Sequence, residues 1–279
     1  MAYDFKLLNV AITQNIANIT INNPPINILT PALYQELVAL VEELQADDAL
    51  TVVVFKSADP DFFIAHYDVA NILQFPTDGD PERSTELNPF HTMCERVRTM
   101  NKVTIAQIEG RVGGGGSEFA ASMDMRFGVI GKTIVNQMEV PLGILPGGSG
   151  TQRLPRLVGR GRALEIILAG EDLDAETAER WGYLNRIYAA DAIDAKIAAL
   201  AQRIASFPAS AVRLAKASVN AADLPIQQGL QEEAYLFARL LRTDAAQQNM
   251  SRFLEIGGQT REGEMQVAEL ARRLGENAE

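Results

Sequence analysis

Gly110–Glu139 reads GRVGGGGSEFAASMDMRFGVIGKTIVNQME, and its four consecutive glycines, Gly113 to Gly116, organise the reading of everything around them. They lead into a short apolar run that contains a carboxylate, Glu118. A second carboxylate, Glu139, follows 21 positions later, just before the turn-rich VPLGILPGGSGTQR. Two acids can therefore converge on one glycine-lined site. A glycine run can cradle a phosphate, but G-x-G-x-x-G counted from Gly113 through Gly115 ends on Glu118, where a carboxylate would repel a pyrophosphate. The lysine that follows G-x-x-x-x-G in phosphate loops is absent both here and in Gly143–Thr151. Two readings stay open. The glycines form a tight turn for close packing, or they present bare backbone N–H groups at a helix start to a developing oxyanion, where a preorganised donor contributes about 3 kcal/mol. Glu118 is likewise either a solvated first-turn residue or a functional acid. Phe119, Ala120, Ala121 and Met123 surround it with apolar character, and a buried carboxylate costs free energy unless it has a partner or a task. Glu139, between Met138 and Val140, poses the same choice.

Upstream, Val103–Ile108 is a buried strand that delivers the chain into the glycines, and Thr51–Phe55 (TVVVF) has the β-branched character of a strand covered on both faces. Residues 5–12 and 16–22 form a hairpin across Thr13-Gln14-Asn15. Thr30-Pro31 starts a helix over 31–46, with Leu33, Leu37, Leu40, Val41 and Leu44 on one face. Residues 57–68 form a loop, Pro76–Pro89 is a polar surface excursion, and a helix covers about 90–100. Downstream, Arg126–Ile130 and Thr133–Val135 are short strands, a strand–loop–helix rhythm unlike a βαβ nucleotide fold. From about 159 onward helical patterns succeed one another over 160–169, 174–181, 190–206, 208–222, 226–242, 244–254 and 261–274. The fold class is thus α/β, with an α/β core over 1–190 and a helical region over 191–279. The helical region's Ala- and Leu-rich faces must bury against the core or a neighbouring subunit.

The 279 residues carry a formal charge of -11, which leaves no basic excess for nucleic acid as the main partner. Cys94 is the only cysteine, so no intrachain disulfide forms, and with no secretory pattern after Met1 a reducing cytoplasm is expected. No apolar run approaches the roughly 20 residues that span a bilayer. Two histidines, His66 and His91, and one cysteine are too few for a His- or Cys-based metal centre; an all-carboxylate site stays conceivable, but no metal is expected. His66-Tyr67-Asp68 invites a catalytic-triad reading, but no serine sits in a G-x-S-x-G elbow, and Asp68 can equally cap a following helix. Arg153, Arg156, Arg160 and Arg162 could neutralise a ligand phosphate or form ion pairs on a solvated face.

Taken together, ITINNPPINIL, DFFIAHYD, VTIAQIEGRVGGGGSEFA and above all MEVPLGILPGGSGTQRLPRLVGRGRALEIILAG with LDAETAERWGYLNRI resemble the enoyl-CoA hydratase/isomerase (crotonase) family over roughly residues 10–255. The resemblance implies a crotonase-like spiral of ββα units with a helical C-terminal trimerisation region, commonly a dimer of trimers. It implies an acyl-CoA thioester substrate and no separate cofactor, because CoA is part of the substrate. Carried over, the oxyanion-hole donors are the backbone N–H groups of Tyr67 and Gly115, and the catalytic pair is Glu118, which activates water, and Glu139, which delivers a proton. His66, Asp68, Gly114, Leu142 and Gly143 would shape the substrate pocket, and Ile28, Ile64 and Ala65 would contact CoA. The implied reaction is reversible hydration of a 2-enoyl-CoA. Other reactions of the family are the alternatives: double-bond isomerisation, C–C cleavage or thioester hydrolysis, with a non-catalytic CoA-thioester binding subunit after them. Three positions depart from the family pattern: His66-Tyr67 where Gly-Ala is usual, Met138 where proline precedes the second glutamate, and Val69-Ala70 where a lysine is common.

Overall fold

The computed structural model describes residues 3–80 and 82–275. The chain opens with the hairpin β1 (Leu8–Thr13) and β2 (Ile16–Ile21), antiparallel from Leu8↔Ile21 to Thr13↔Ile16. Helix α1 (Pro31–Ala46) starts where Thr30 Oγ1 accepts from Leu33 N–H and Pro31 fixes the first turn, and it buries the five apolar residues its spacing placed on one face. β3 (Val52–Ser57) follows, then β4 (Phe62–Ile64), the short helix α2 (Val69–Ile72), α3 (Pro89–Thr99), β5 (Val103–Ile108), β6 (Arg111–Gly113) and α4 (Gly114–Ala121). β7 (Met125–Val129) and β8 (Ile134–Asn136) repeat the pattern.

Each turn of this spiral gives one strand to each of two sheets. The larger has the order β1-β2-β3-β5-β7 and is completed by β10 (Arg186–Tyr188), with every pair after the hairpin parallel. The smaller runs β4-β6-β8 and ends on β9 (Leu173–Asp174). β3 shows why its sequence is continuously apolar. Val53 and Phe55 face the main core with α1 and α4, whereas Val52 and Val54 face a second cluster. That second cluster is capped by Ile193, Ile197 and Ala201 of α8 (Ile193–Ala205).

Between β8 and β10 lie α5 (Gly150–Val158), α6 (Arg160–Ala169) and α7 (Ala175–Trp181). The turn-rich reading of residues 140–153 is only partly what forms. A 3-10 turn spans Val140–Leu142, but α5 begins at Gly150 and carries Pro155 inside it. After Tyr188 every described element is helical: α8, α9 (Ala209–Asn220), α10 (Ile226–Leu240), α11 (Asp244–Glu255), α12 (Arg261–Glu264) and α13 (Val267–Gly275), the last two replacing the single helix expected over 261–274. No described helix is long and apolar enough to cross a membrane.

Candidate active site

Helix α4 is buried along its whole length, including Glu118. Its N-cap, Gly113, offers no side-chain acceptor, so the first-turn N–H groups, that of Gly115 among them, have no intrahelical partner. The second donor comes from residues 66–68. Leu29 N–H donates to the His66 carbonyl at 2.9 Å, and Asp68 N–H donates to the Leu29 carbonyl at 3.2 Å. Backbone groups alternate in direction along an extended segment, so the Tyr67 N–H and C=O face the other way. The Tyr67 carbonyl takes up His66 Nδ1 at 2.8 Å, while its N–H has no acceptor among the described residues. A Cβ built on Gly115 would lie 3.6 Å from Tyr67 N, so the two free N–H groups are neighbours and can address one oxygen.

Glu118 is 3% exposed. Its Oε1 accepts from Gly148 N–H at 2.8 Å and from Gly150 N–H at 2.7 Å, leaving Oε2 on the Gly148 and Phe90 side. Burial pushes its carboxyl up to about 7. The charge of Glu139 adds to the rise, and the two amides and Arg153 oppose it. Glu139 is 9% exposed and its carboxyl is also raised, by burial, against a backbone hydrogen bond of its own, the Gln137 amide at 3.1 Å and the charge of His66. Gln137 Oε1 is buried without a partner among the described residues. Exchanging the nitrogen and oxygen of that amide would turn its oxygen toward Glu139, where it could accept a hydrogen bond from the acid form. Gly114, at φ +45°, is the thin wall here. A Cβ would come 2.9 Å from Glu139 Oε1 and 3.1 Å from His66 Cβ.

Tyr67, Gly115, Glu118 and Glu139 line one cavity of about 540 Å³. Tyr34, Phe75, Phe90, Ile144 and Leu145 supply its apolar walls, and Phe90 stacks on Tyr34 and meets the Tyr67 ring edge-on. An apolar-walled cavity with paired N–H donors and two carboxylates of raised proton affinity is suited to polarising a carbonyl and moving protons beside it.

The chain matches the family model for enoyl-CoA hydratase/isomerase over residues 11–262. It belongs to that family. It is 33% identical over 255 residues to a protein named probable enoyl-CoA hydratase from Rhizobium meliloti (strain 1021), covering 90% of this chain and 95% of the relative. It is 29% identical to the short-chain-enoyl-CoA hydratase of Clostridium acetobutylicum, covering 90% and 96%. Among solved structures, an enoyl-CoA hydratase subunit I from Geobacillus kaustophilus HTA426 superposes with a TM-score of 0.82 at 30% identity, covering 92% of this chain and 98% of that one. The spiral of ββα units with C-terminal helices is this family's fold.

The remaining expected site residues of this family member lie as follows. Asp68 Oδ1 caps α2 through Ala70 N–H at 2.9 Å. Leu142 and Gly143 are exposed in and just after the 3-10 turn beyond Glu139. Ile64 is fully buried beneath Gly116, Ala65 packs its carbonyl against Gly113, and half-buried Ile28 adjoins the Leu29–Tyr67 bridge. The arginine cluster is mostly paired within the protein: Arg153 with Glu95, Arg156 with Asp223, and Arg162 over the Trp181 ring. The residues that sequence reading missed are Gly148 and Gly150, whose amides hold Glu118. The PGGSG segment is their only signal, since backbone donors leave no side chain to read.

Proposed function

We propose that this protein reversibly hydrates a 2-enoyl-CoA to a 3-hydroxyacyl-CoA. The observation that carries the reading is the meeting of two buried carboxylates, Glu118 and Glu139, with the free N–H groups of Tyr67 and Gly115 on one cavity. The thioester oxygen, held by the two N–H groups, draws electrons from the double bond and makes Cβ electrophilic. Glu118 Oε2, its partner oxygen already engaged, takes a proton from water as the hydroxyl adds to Cβ. The resulting enolate rests on the same N–H groups and takes a proton at Cα from Glu139. One proton has then been gained by Glu118 and one lost by Glu139, and exchange through the next water resets the pair. The reverse steps dehydrate. The relatives named as enoyl-CoA hydratases at about 30% identity support this assignment.

The test is turnover of purified protein with enoyl-CoA thioesters, followed as loss of the conjugated-thioester absorbance. Glu118→Ala and Glu139→Ala should each slow it at least ~100-fold. Turnover at the parent rate by both variants would refute the reading. His66 beside Glu139 favours a second reading, in which the added acid–base group serves isomerisation, C–C cleavage or thioester hydrolysis. Mass spectrometry separates them, since hydration adds water, isomerisation conserves mass and hydrolysis releases CoA. A site that only binds is disfavoured by Glu118 and Glu139, two carboxylates on the cavity for which binding alone has no evident need. The proposal extends to assembly: Ile226, Leu230 and Phe237 of α10 are exposed at 78%, 55% and 61%, a face suited to contact between copies in a trimer or dimer of trimers. Light scattering on the eluting protein measures the mass directly.

A further inference from the structure

The two amides that grip Glu118 flank a residue in an unusual conformation. Ser149 lies between Gly148 and Gly150 at φ +108° and ψ -2°, a left-handed conformation in which a side chain is disfavoured. Strain of this kind persists only where surrounding contacts enforce it. The side-chain contact at this residue comes from Arg153, one turn into α5. Its Nε–H donates to Ser149 Oγ at 2.9 Å, and its Nη2 donates to Glu95 Oε1 of α3 at 2.5 Å. Glu95 is itself fixed by Arg98 through bonds of 2.9 to 3.2 Å. A planar guanidinium can hold two acceptors in set directions at once, which a lysine cannot.

Arg153 does not touch the substrate cavity. It lines a separate cavity of about 1050 Å³ on the far side of the 148–150 loop. The charged and titratable groups around Glu118 are Glu139 beyond β8, Arg153 on α5, Cys94 on α3 and Tyr183 after α7. Of these only Arg153 is a cation.

We propose that Arg153 is a positioning residue for Glu118. Through Ser149 Oγ it clamps the left-handed turn that aims Gly148 N–H and Gly150 N–H at one carboxylate oxygen, and its charge favours the ionised form needed to accept a proton from water. The clamp rests on the hydratase reading for its consequence in turnover, but not for its effect on Glu118. Infrared titration of the protonated-carboxyl band, assigned to Glu118 by its loss in Glu118→Gln, measures that effect directly. In Arg153→Met the band should persist to higher pH by about one unit. With enoyl-CoA, kcat at pH 7 should fall about tenfold while KM stays within about twofold, because the residue is outside the substrate cavity. Ser149→Ala keeps the charge but loses the bridge, and should lower kcat with a smaller move of the band. Arg153→Lys should fall between the parent and Arg153→Met. An unmoved band in Arg153→Met would overturn the proposal. So would an unchanged kcat in Ser149→Ala, which decides the matter if Arg153→Met does not fold. A parent protein that hydrates no enoyl-CoA would end the hydratase reading and leave the infrared test standing.

Discussion

Replacing Glu118 with glutamine should make the protein more stable at pH 8 and inactive at any pH. The carboxyl moves from 4.5 in the unfolded chain to about 7 in the folded one. Each tenfold change in proton affinity is worth ~1.4 kcal/mol, so the native state gives up ~3 kcal/mol between those pH values. Because the folded-state affinity is raised, the folded protein binds more protons than the unfolded chain inside this window. Stability is therefore fully present below pH 4.5 and is lost as pH climbs through 7. A glutamine at this position has no proton to lose, and its side-chain oxygen can still accept from Gly148 and Gly150. Urea unfolding of parent and Glu118→Gln at pH 5 and pH 8, at one protein concentration, measures the difference. The variant's advantage should grow by ~2–3 kcal/mol from the lower to the higher pH. An advantage equal at both pH values would refute the account of a carboxylate held at a cost among apolar walls.

Gly148→Ala would place a Cβ 2.5 Å from both Glu118 Oε2 and Phe90 Cε1, so one of them must move. Turnover should fall ~100-fold with a stability loss of about 1–3 kcal/mol, read by kinetics and urea unfolding. Lys216 of α9, 9% exposed in its side chain, pairs with Asp124 at 2.8 Å and donates to the Lys102 carbonyl at 2.7 Å. Lys216→Met should destabilise the fold by about 3 kcal/mol, and Lys216→Met with Asp124→Asn should recover part of it in the same assay.

The elements legible in the sequence are those whose physics is local. α1 begins and ends within its expected 31–46 because Thr30, Pro31 and a five-residue apolar face all agree. β3 and β5 announce themselves by residues that suit burial on both sides. β4 and β6 span three residues each, too few for any period to show, and their pairing is set by the sheet rather than by their own composition. The first turn of α5, Gly150–Arg153, reads as part of a turn-rich stretch because its glycine start opposes helix locally, and packing against α4 and α6 overrides that opposition. In the site, Glu118 and Glu139 can be found because carboxylates among apolar neighbours are conspicuous. The groups that give Glu118 its character, two amides 30 and 32 positions away, are invisible to any pattern of side chains.

The glycine run admits two readings, close packing or the presentation of N–H groups, and the geometry makes them one constraint. A Cβ at Gly116 would lie 2.5 Å from the Ile64 carbonyl, and one at Gly115 would lie 3.1 Å from Tyr67 Cβ. Any side chain at Gly116 would push α4 off the 64–67 segment and carry the Gly115 N–H away from the Tyr67 N–H. Tyr67 itself can be bulky because its N–H belongs to a backbone pinned by Leu29, and its ring leaves sideways to meet Phe90 and Phe75. The departure at Tyr67 therefore changes a wall of the cavity without moving the backbone N–H beside that of Gly115. A site assembled from main-chain donors is written in the sequence through the residues that must stay small, and tolerance at Tyr67 beside intolerance at Gly116 is the mark of that arrangement.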